Sequence, residues 1–248
     1  MKILVCGKGG CGKSVISALI AKELAGRGKK VLVVDADESN FGIHRNLGVK
    51  QPKDFMEWLG GKSGVREKLF KAIQSEWKEE ARMLDELSLD ELPEEFVERN
   101  DGIAVIAIGK IHEFGEGCAC PMGVVTREFL QALRLEDDEF VVVDTDAGIE
   151  HFGRSVEAGC DVIVAIVEPS YESIKLAEKI ADMGRKLGKR VTTVANKVND
   201  ETKGLINADA YVPLSKEIYQ ACFLGEEVPL IEEAKELVNL IANSEVRR

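Results

Sequence analysis

Residues 7–14 read Gly-Lys-Gly-Gly-Cys-Gly-Lys-Ser, four glycines within six positions followed by an ammonium and a hydroxyl. A tight turn needs one or two glycines. Four of them let backbone N–H groups close around an anion, because no Cβ blocks its approach. Gly7, Gly12, Lys13 and Ser14 satisfy G-x-x-x-x-G-K-[ST], the spacing of a phosphate cradle. In such a loop the amides through Gly9, Gly10, Cys11 and on to Val15 wrap the phosphates. Lys13 reaches the β- and γ-phosphates, and the Ser14 hydroxyl binds Mg²⁺.

Two carboxylate sites fit the same chemistry. Val-Leu-Val-Val-Asp-Ala-Asp ends an apolar run at Asp35 and adds Asp37; Phe-Val-Val-Val-Asp-Thr-Asp-Ala-Gly ends another at Asp144. Open α/β sheets bind ligands beyond their strand ends. Asp144 suits the carboxylate that holds Mg²⁺ through water, and Gly148 lets the following backbone approach a γ-phosphate. Asp37 is placed to orient an attacking water, although a carboxylate at a strand end also occurs without function. Asn196-Lys197-Val198-Asn199 is close to the guanine signature N-K-x-D but lacks its Asp. An amide that both donates and accepts suits adenine, which favours ATP.

A third chemistry is carried by Cys118-Ala119-Cys120-Pro121. Two thiolates two residues apart can hold one face of a metal, whereas a closed site wants four ligands. Two ordinary buried thiols are the alternative, but Gly115, Gly117 and Pro121 give the segment the composition of an exposed loop. Thiolates suit Zn²⁺ and also take Ni²⁺, so the residues alone do not choose the metal. Cys11 reads as filling a small-residue slot, and Cys6, Cys160 and Cys222 as core.

The elements that must position these groups alternate along the chain. Strands are expected over 2–6, 31–35, 103–108, 140–144, 161–167, 190–195 and 210–213, mostly Val- and Ile-rich and apolar on both faces. Such strands belong to a parallel sheet covered by helices on both sides. Helices are expected over 13–25, 65–84, 124–133, 171–187 and 230–243, the last a core-packing helix with an acidic outer face. The expected fold is α/β, a single-domain P-loop NTPase over residues 1–248 with a mainly parallel twisted sheet. The polar, charged stretch at about 39–100 reads as a helical insertion over one sheet edge.

Composition narrows the function classes. A net charge of −11 over 248 residues argues against general affinity for nucleic acid or acidic lipid, both of which want a basic surface. The N-terminal apolar run is too short for a secretory signal, and no stretch approaches the roughly 20 apolar residues of a membrane span. A cytoplasmic protein without a stable membrane anchor is expected, and its six cysteines read as core, metal ligands or reactive thiols, not as disulfides.

The loop carries a lysine, Lys8, directly after its first glycine, and so resembles the deviant Walker A loop of the MinD/ParA class of P-loop ATPases. The resemblance extends to Val34–Gly42 as switch I, Val141–Gly148 as switch II, and Ala195–Asp200 near the base. It implies an ATP-dependent homodimer in which Lys8 reaches the phosphates held by the partner subunit. It also implies catalytic roles for Lys8, Lys13 and Asp37, and puts Asn196 and the backbone near Pro213 at the base. Switch II of the wider family usually has Pro where this chain has Asp146. That departure, with Cys118 and Cys120 and with Gly148-Ile-Glu-His-Phe-Gly-Arg154, resembles the CooC group of nickel-insertion ATPases, which mature carbon monoxide dehydrogenase.

On that resemblance a two-fold axis past the cysteine loop would complete a Cys₄ site from two chains. The function implied is an ATP-hydrolysing metallochaperone, a homodimer binding Ni²⁺ or Zn²⁺ through Cys118 and Cys120 and serving a nickel enzyme such as carbon monoxide dehydrogenase. Two alternatives stay open: a spatial regulator of the MinD/ParA type, and an iron-sulfur carrier ATPase. The acidic composition counts against the first and C-x-C spacing, in place of C-x-x-C, against the second.

Overall fold

The computed structural model describes residues 1–74, 83–111 and 120–242. In chain order its principal elements are β1 (Lys2–Gly7), α1 (Lys13–Gly26), β2 (Lys30–Ala36), α2 (Ile43–Asn46), α3 (Gly61–Gln74), β3 (Glu98–Asn100) and β4 (Ile103–Ala107). There follow α4 (Cys120–Ala132), β5 (Glu139–Thr145), α5 (Glu150–Gly153), β6 (Val162–Val167), α6 (Tyr171–Lys186), β7 (Arg190–Val198), α7 (Asp200–Lys203), β8 (Ala210–Pro213), α8 (Lys216–Leu224) and α9 (Glu233–Ala242). The strands form one sheet in the order β3-β4-β2-β5-β1-β6-β7-β8, parallel except for the β3–β4 edge pair.

Successive side chains of a strand point to opposite faces, and here both faces are buried. Ile3, Val5, Val31, Val33 and Val142 pack against α1, α8 and α9. Leu4, Leu32, Val34, Val141 and Val143 pack on the other side with Val65 of α3, Phe129 of α4 and Ile180 of α6. This is the single-domain α/β fold expected. The parallel register brings the ends of β1, β2 and β5 to one level: Asp35 and Val5 each sit opposite Asp144.

Several boundaries differ from expectation. The helix expected over 65–84 is α3, which begins earlier, at Gly61, and Met83 and Leu84 are not helical; residues 75–82 lie outside the described part. The helix expected over 124–133 starts at Cys120, because Pro121 at its second position needs no N–H partner. The last helix begins at Glu233, after a turn at Glu232; Leu230 lies in the irregular chain before it. No helix among the described residues is long and apolar enough to cross a membrane.

Candidate nucleotide site

The glycine-rich loop leaves the centre of the sheet at the end of β1 and runs into α1. Gly12, the residue before the helix, has φ +94, a left-handed conformation that L side chains rarely adopt. An added Cβ there would also collide with the side-chain nitrogen of Asn196. That nitrogen donates to the Cys11 carbonyl at 2.8 Å, and the Lys197 ammonium donates to the Gly10 carbonyl. The end of β7 therefore ties down the back of the loop. Cys11 is buried, and burial raises its thiol to about 11, so it remains neutral. Lys13 is buried at the start of α1, its ammonium 3.5 Å from the Lys8 carbonyl.

Switch II lies against the loop's other side. The Gly148 N–H donates to the Gly7 carbonyl at 3.1 Å. Asp144, at the end of β5, is 1 % exposed and accepts from Ser17 Oγ at 3.0 Å through Oδ1; its Oδ2 is buried with no hydrogen-bond partner. Burial raises this carboxyl to about 6, while the Ser14 hydroxyl, Lys13 and Ser17 favour the charged form. A buried carboxylate oxygen without a donor is costly, and a hydrated Mg²⁺ would relieve it. Beside Ser14 and Lys13, the donor set fits that ion.

Asp37 is buried and closes a local turn: its Oδ1 accepts from the backbone N–H and hydroxyl of Ser39 and from the N–H of Asn40. Asn40 in turn donates to Ser14 Oγ at 3.0 Å, so the turn that fixes Asp37 also contacts the hydroxyl that opens α1. Behind it stands Lys110, 1 % exposed, 2.7 Å from Asp35 and donating to the carbonyls of Asp37 and Asn40. Burial raises the Asp35 carboxyl to about 7 against the pull of that ammonium. Sequence reasoning missed Lys110; a charged residue at the end of the apolar run 103–108 was the available signal.

Three further groups were missed. Glu168, just past β6, lies between Lys8 at 3.3 Å and Lys197 at 3.5 Å. His151 is 2 % exposed with neither ring nitrogen hydrogen-bonded, and burial, with Lys13 and Arg154 nearby, lowers it to about 3. Arg154 reaches Asp146 at 3.3 Å and lays its stem across Gly123 in the first turn of α4, where no Cβ would fit. Asp146, where Pro is usual in the wider family, thus ties switch II to that helix.

A pocket of about 250 Å³ opens beside the loop, lined by Gly12, Val15, Asn196 and Pro213 with Tyr219 and Cys222 of α8. Cys222, expected in the core, does not lie there. It is exposed, because α8 turns only Ile218 and Ala221 inward. Cys6 and Cys160 are buried, as expected. Cys118 lies outside the described residues, and of Cys120 only the backbone is described, as the first residue of α4. Among the described residues no group of three or more His, Cys, Asp and Glu side chains is placed to hold a metal ion.

Residues 2–239 match the family model of the CobQ/CobB/MinD/ParA nucleotide binding domain. An ATP-binding protein of Methanocaldococcus jannaschii is 53 % identical, covering 97 % of this chain and 99 % of its own length. The carbon monoxide dehydrogenase accessory protein CooC of Rhodospirillum rubrum is 32 % identical over 80 % of this chain and 74 % of its own. The septum site-determining protein MinD of Pyrococcus horikoshii, solved with Mg-ADP, superposes with a TM-score of 0.69 over 98 % of both chains at 15 % identity, a likeness of fold. The chain belongs to the CobQ/CobB/MinD/ParA family of nucleotide-binding P-loop ATPases.

Proposed function

We propose that this chain hydrolyses ATP as a nucleotide-dependent homodimer and acts as a metallochaperone, binding Ni²⁺, or Zn²⁺ in its place, through Cys118 and Cys120 and serving a nickel enzyme of the carbon monoxide dehydrogenase kind. The observation that carries the ATPase part is the buried, unpartnered Oδ2 of Asp144 beside Ser17, at the end of the strand adjoining the glycine loop. In this reading Ser14 and Asp144 hold Mg²⁺, which neutralises phosphate charge. Lys13 pairs with the β- and γ-phosphates, Lys8 reaches those of the partner subunit, and Asp37 orients the attacking water. Asn196 and the backbone at Pro213 flank the adenine.

The metal part is supported by the Cys-Ala-Cys segment and by the similarity to CooC of R. rubrum. The Asp146–Arg154 pair supplies a route between the two parts, since Arg154 packs on Gly123, three residues beyond Cys120. A rearrangement of switch II on ATP binding would be felt at the start of α4, and metal and ATP should change each other's affinity by the same factor.

Equilibrium dialysis with Ni²⁺ and with Zn²⁺, with and without ATP, tests this. One metal per two chains is expected, together with metal-induced dimerisation, weaker binding at lower pH as protons compete for the thiolates, and loss of all three when both cysteines become Ser. One tightly held metal per chain that survives the replacement would refute the shared site.

A further inference from the structure

The Glu168 carboxylate stands between two ammonium groups, Lys8 Nζ at 3.3 Å from Oε1 and Lys197 Nζ at 3.5 Å from Oε2. The sheet sets its place. β6 ends one residue before it, alongside β1, with Ile166 opposite Gly7. Its own N–H donates to Ser173 Oγ at 3.0 Å, which holds the turn into α6. Lys197 is also constrained, with φ +60 and its ammonium on the Gly10 carbonyl. Lys8 is the loose member: its side chain is as exposed as that of Lys197, 41 % against 40 %, but its ammonium has Glu168 as its one partner among the described residues.

We propose that Glu168 is a positioning residue that latches Lys8 to its own subunit, so that Lys8 becomes available to the phosphates of a second copy of this chain only when the contact opens. This rests on the reading of an ATP-dependent homodimer given above. A half-exposed ion pair of this kind is weak. It biases an isolated subunit toward the closed arrangement, yet yields to a triphosphate, whose oxygens offer more charge and more acceptors than one carboxylate. Lys197 keeps Glu168 in place after Lys8 leaves.

The test uses the full chain and two readouts. Acetylation of Lys8, followed by mass spectrometry at a dilution where the protein is monomeric, reads the latch alone. Sedimentation with a non-hydrolysable ATP analogue reads self-association. Glu168→Gln should speed Lys8 acetylation about three- to tenfold and lower the midpoint concentration for self-association by a similar factor. In a Lys8→Ala background the midpoint shift should vanish. Unchanged Lys8 reactivity, or a self-association midpoint that stays level or rises, would overturn the latch and make Glu168 a support of the loop. If Lys8 reactivity rises while the unsubstituted protein never self-associates with the analogue, the dimer reading fails, and the latch as a control on association fails with it, leaving only an ion pair within one chain.

Discussion

Asn196 occupies the space that a side chain at position 12 would need, and its amide nitrogen donates to the carbonyl of Cys11, one residue earlier. The strand β7 thus reaches across the sheet's end to hold the loop from behind. Asn196→Ala removes a buried bond to the loop and should weaken ADP binding by about 1–2 kcal/mol, roughly 5- to 30-fold, with little change in melting temperature. Asn196→Asp should cost more, since a carboxylate would face the Cys11 carbonyl. Calorimetric titration of both variants with ADP checks this; equal affinities in all three proteins would show that the loop holds its shape unaided.

Lys110 is the most deeply buried charge behind switch I. Replacing it by Met leaves Asp35 buried without its ion-pair partner and strips donors from two carbonyls, so a loss of about 3–5 kcal/mol is expected. Asp35→Asn added to Lys110→Met should recover part of that loss, because no unpaired buried charge then remains. Urea denaturation of the single and double variants gives the coupling directly.

Asp37 and Asp144 should separate in kinetics. In Asp37→Asn the amide oxygen can still accept the bonds from Ser39 and Asn40, so the turn survives; ATP and Mg²⁺ should bind while hydrolysis slows by about 10²-fold or more. Asp144→Asn should instead weaken Mg²⁺-dependent binding of ATP. Turnover at the parental rate in Asp37→Asn would leave that carboxylate a purely structural part of switch I.

His151 gives a pH dependence whose sign follows from its burial. Its folded pKa, about 3, lies below the ordinary value of 6.5, so the unfolded chain takes up a proton first as pH falls. Stability from the neutral buried imidazole is complete above 6.5 and is lost at about 1.4 kcal/mol per pH unit below it. His151→Phe removes both the titration and two unpartnered nitrogens. It should be more stable than the parent at pH 7, and the gap should widen steadily from pH 6.5 to 5 in chemical denaturation.

What the sequence disclosed follows from the kinds of signal it carries. The apolar strands 31–35 and 140–144 declared themselves because a strand buried on both faces is apolar throughout, and the loop because its glycines and Lys13 stand at fixed spacing. β3 escaped, although Asp101-Gly102, both with positive φ, is a two-residue hairpin signal, because Glu-Arg-Asn has no apolar face. α8 escaped because Tyr219, Phe223 and Leu224 face outward and blur its periodicity. Within the site, Asp35, Asp37 and Asp144 were legible as strand-end carboxylates. Lys110, Glu168 and His151 were not, since each matters through a partner 29 to 160 residues away or through burial, and neither is written in local spacing.

The exposed thiol of Cys222, at the mouth of the pocket beside Asn196 and Tyr219, gives the molecule a built-in place for an optical reporter. Cys6, Cys11 and Cys160 are sealed from solvent. With serine at 118 and 120, a maleimide dye should therefore attach at one position only, on a helix and within the nucleotide's immediate surroundings. Entry and departure of nucleotide could then be followed in real time by fluorescence, one turnover at a time, without a modified nucleotide.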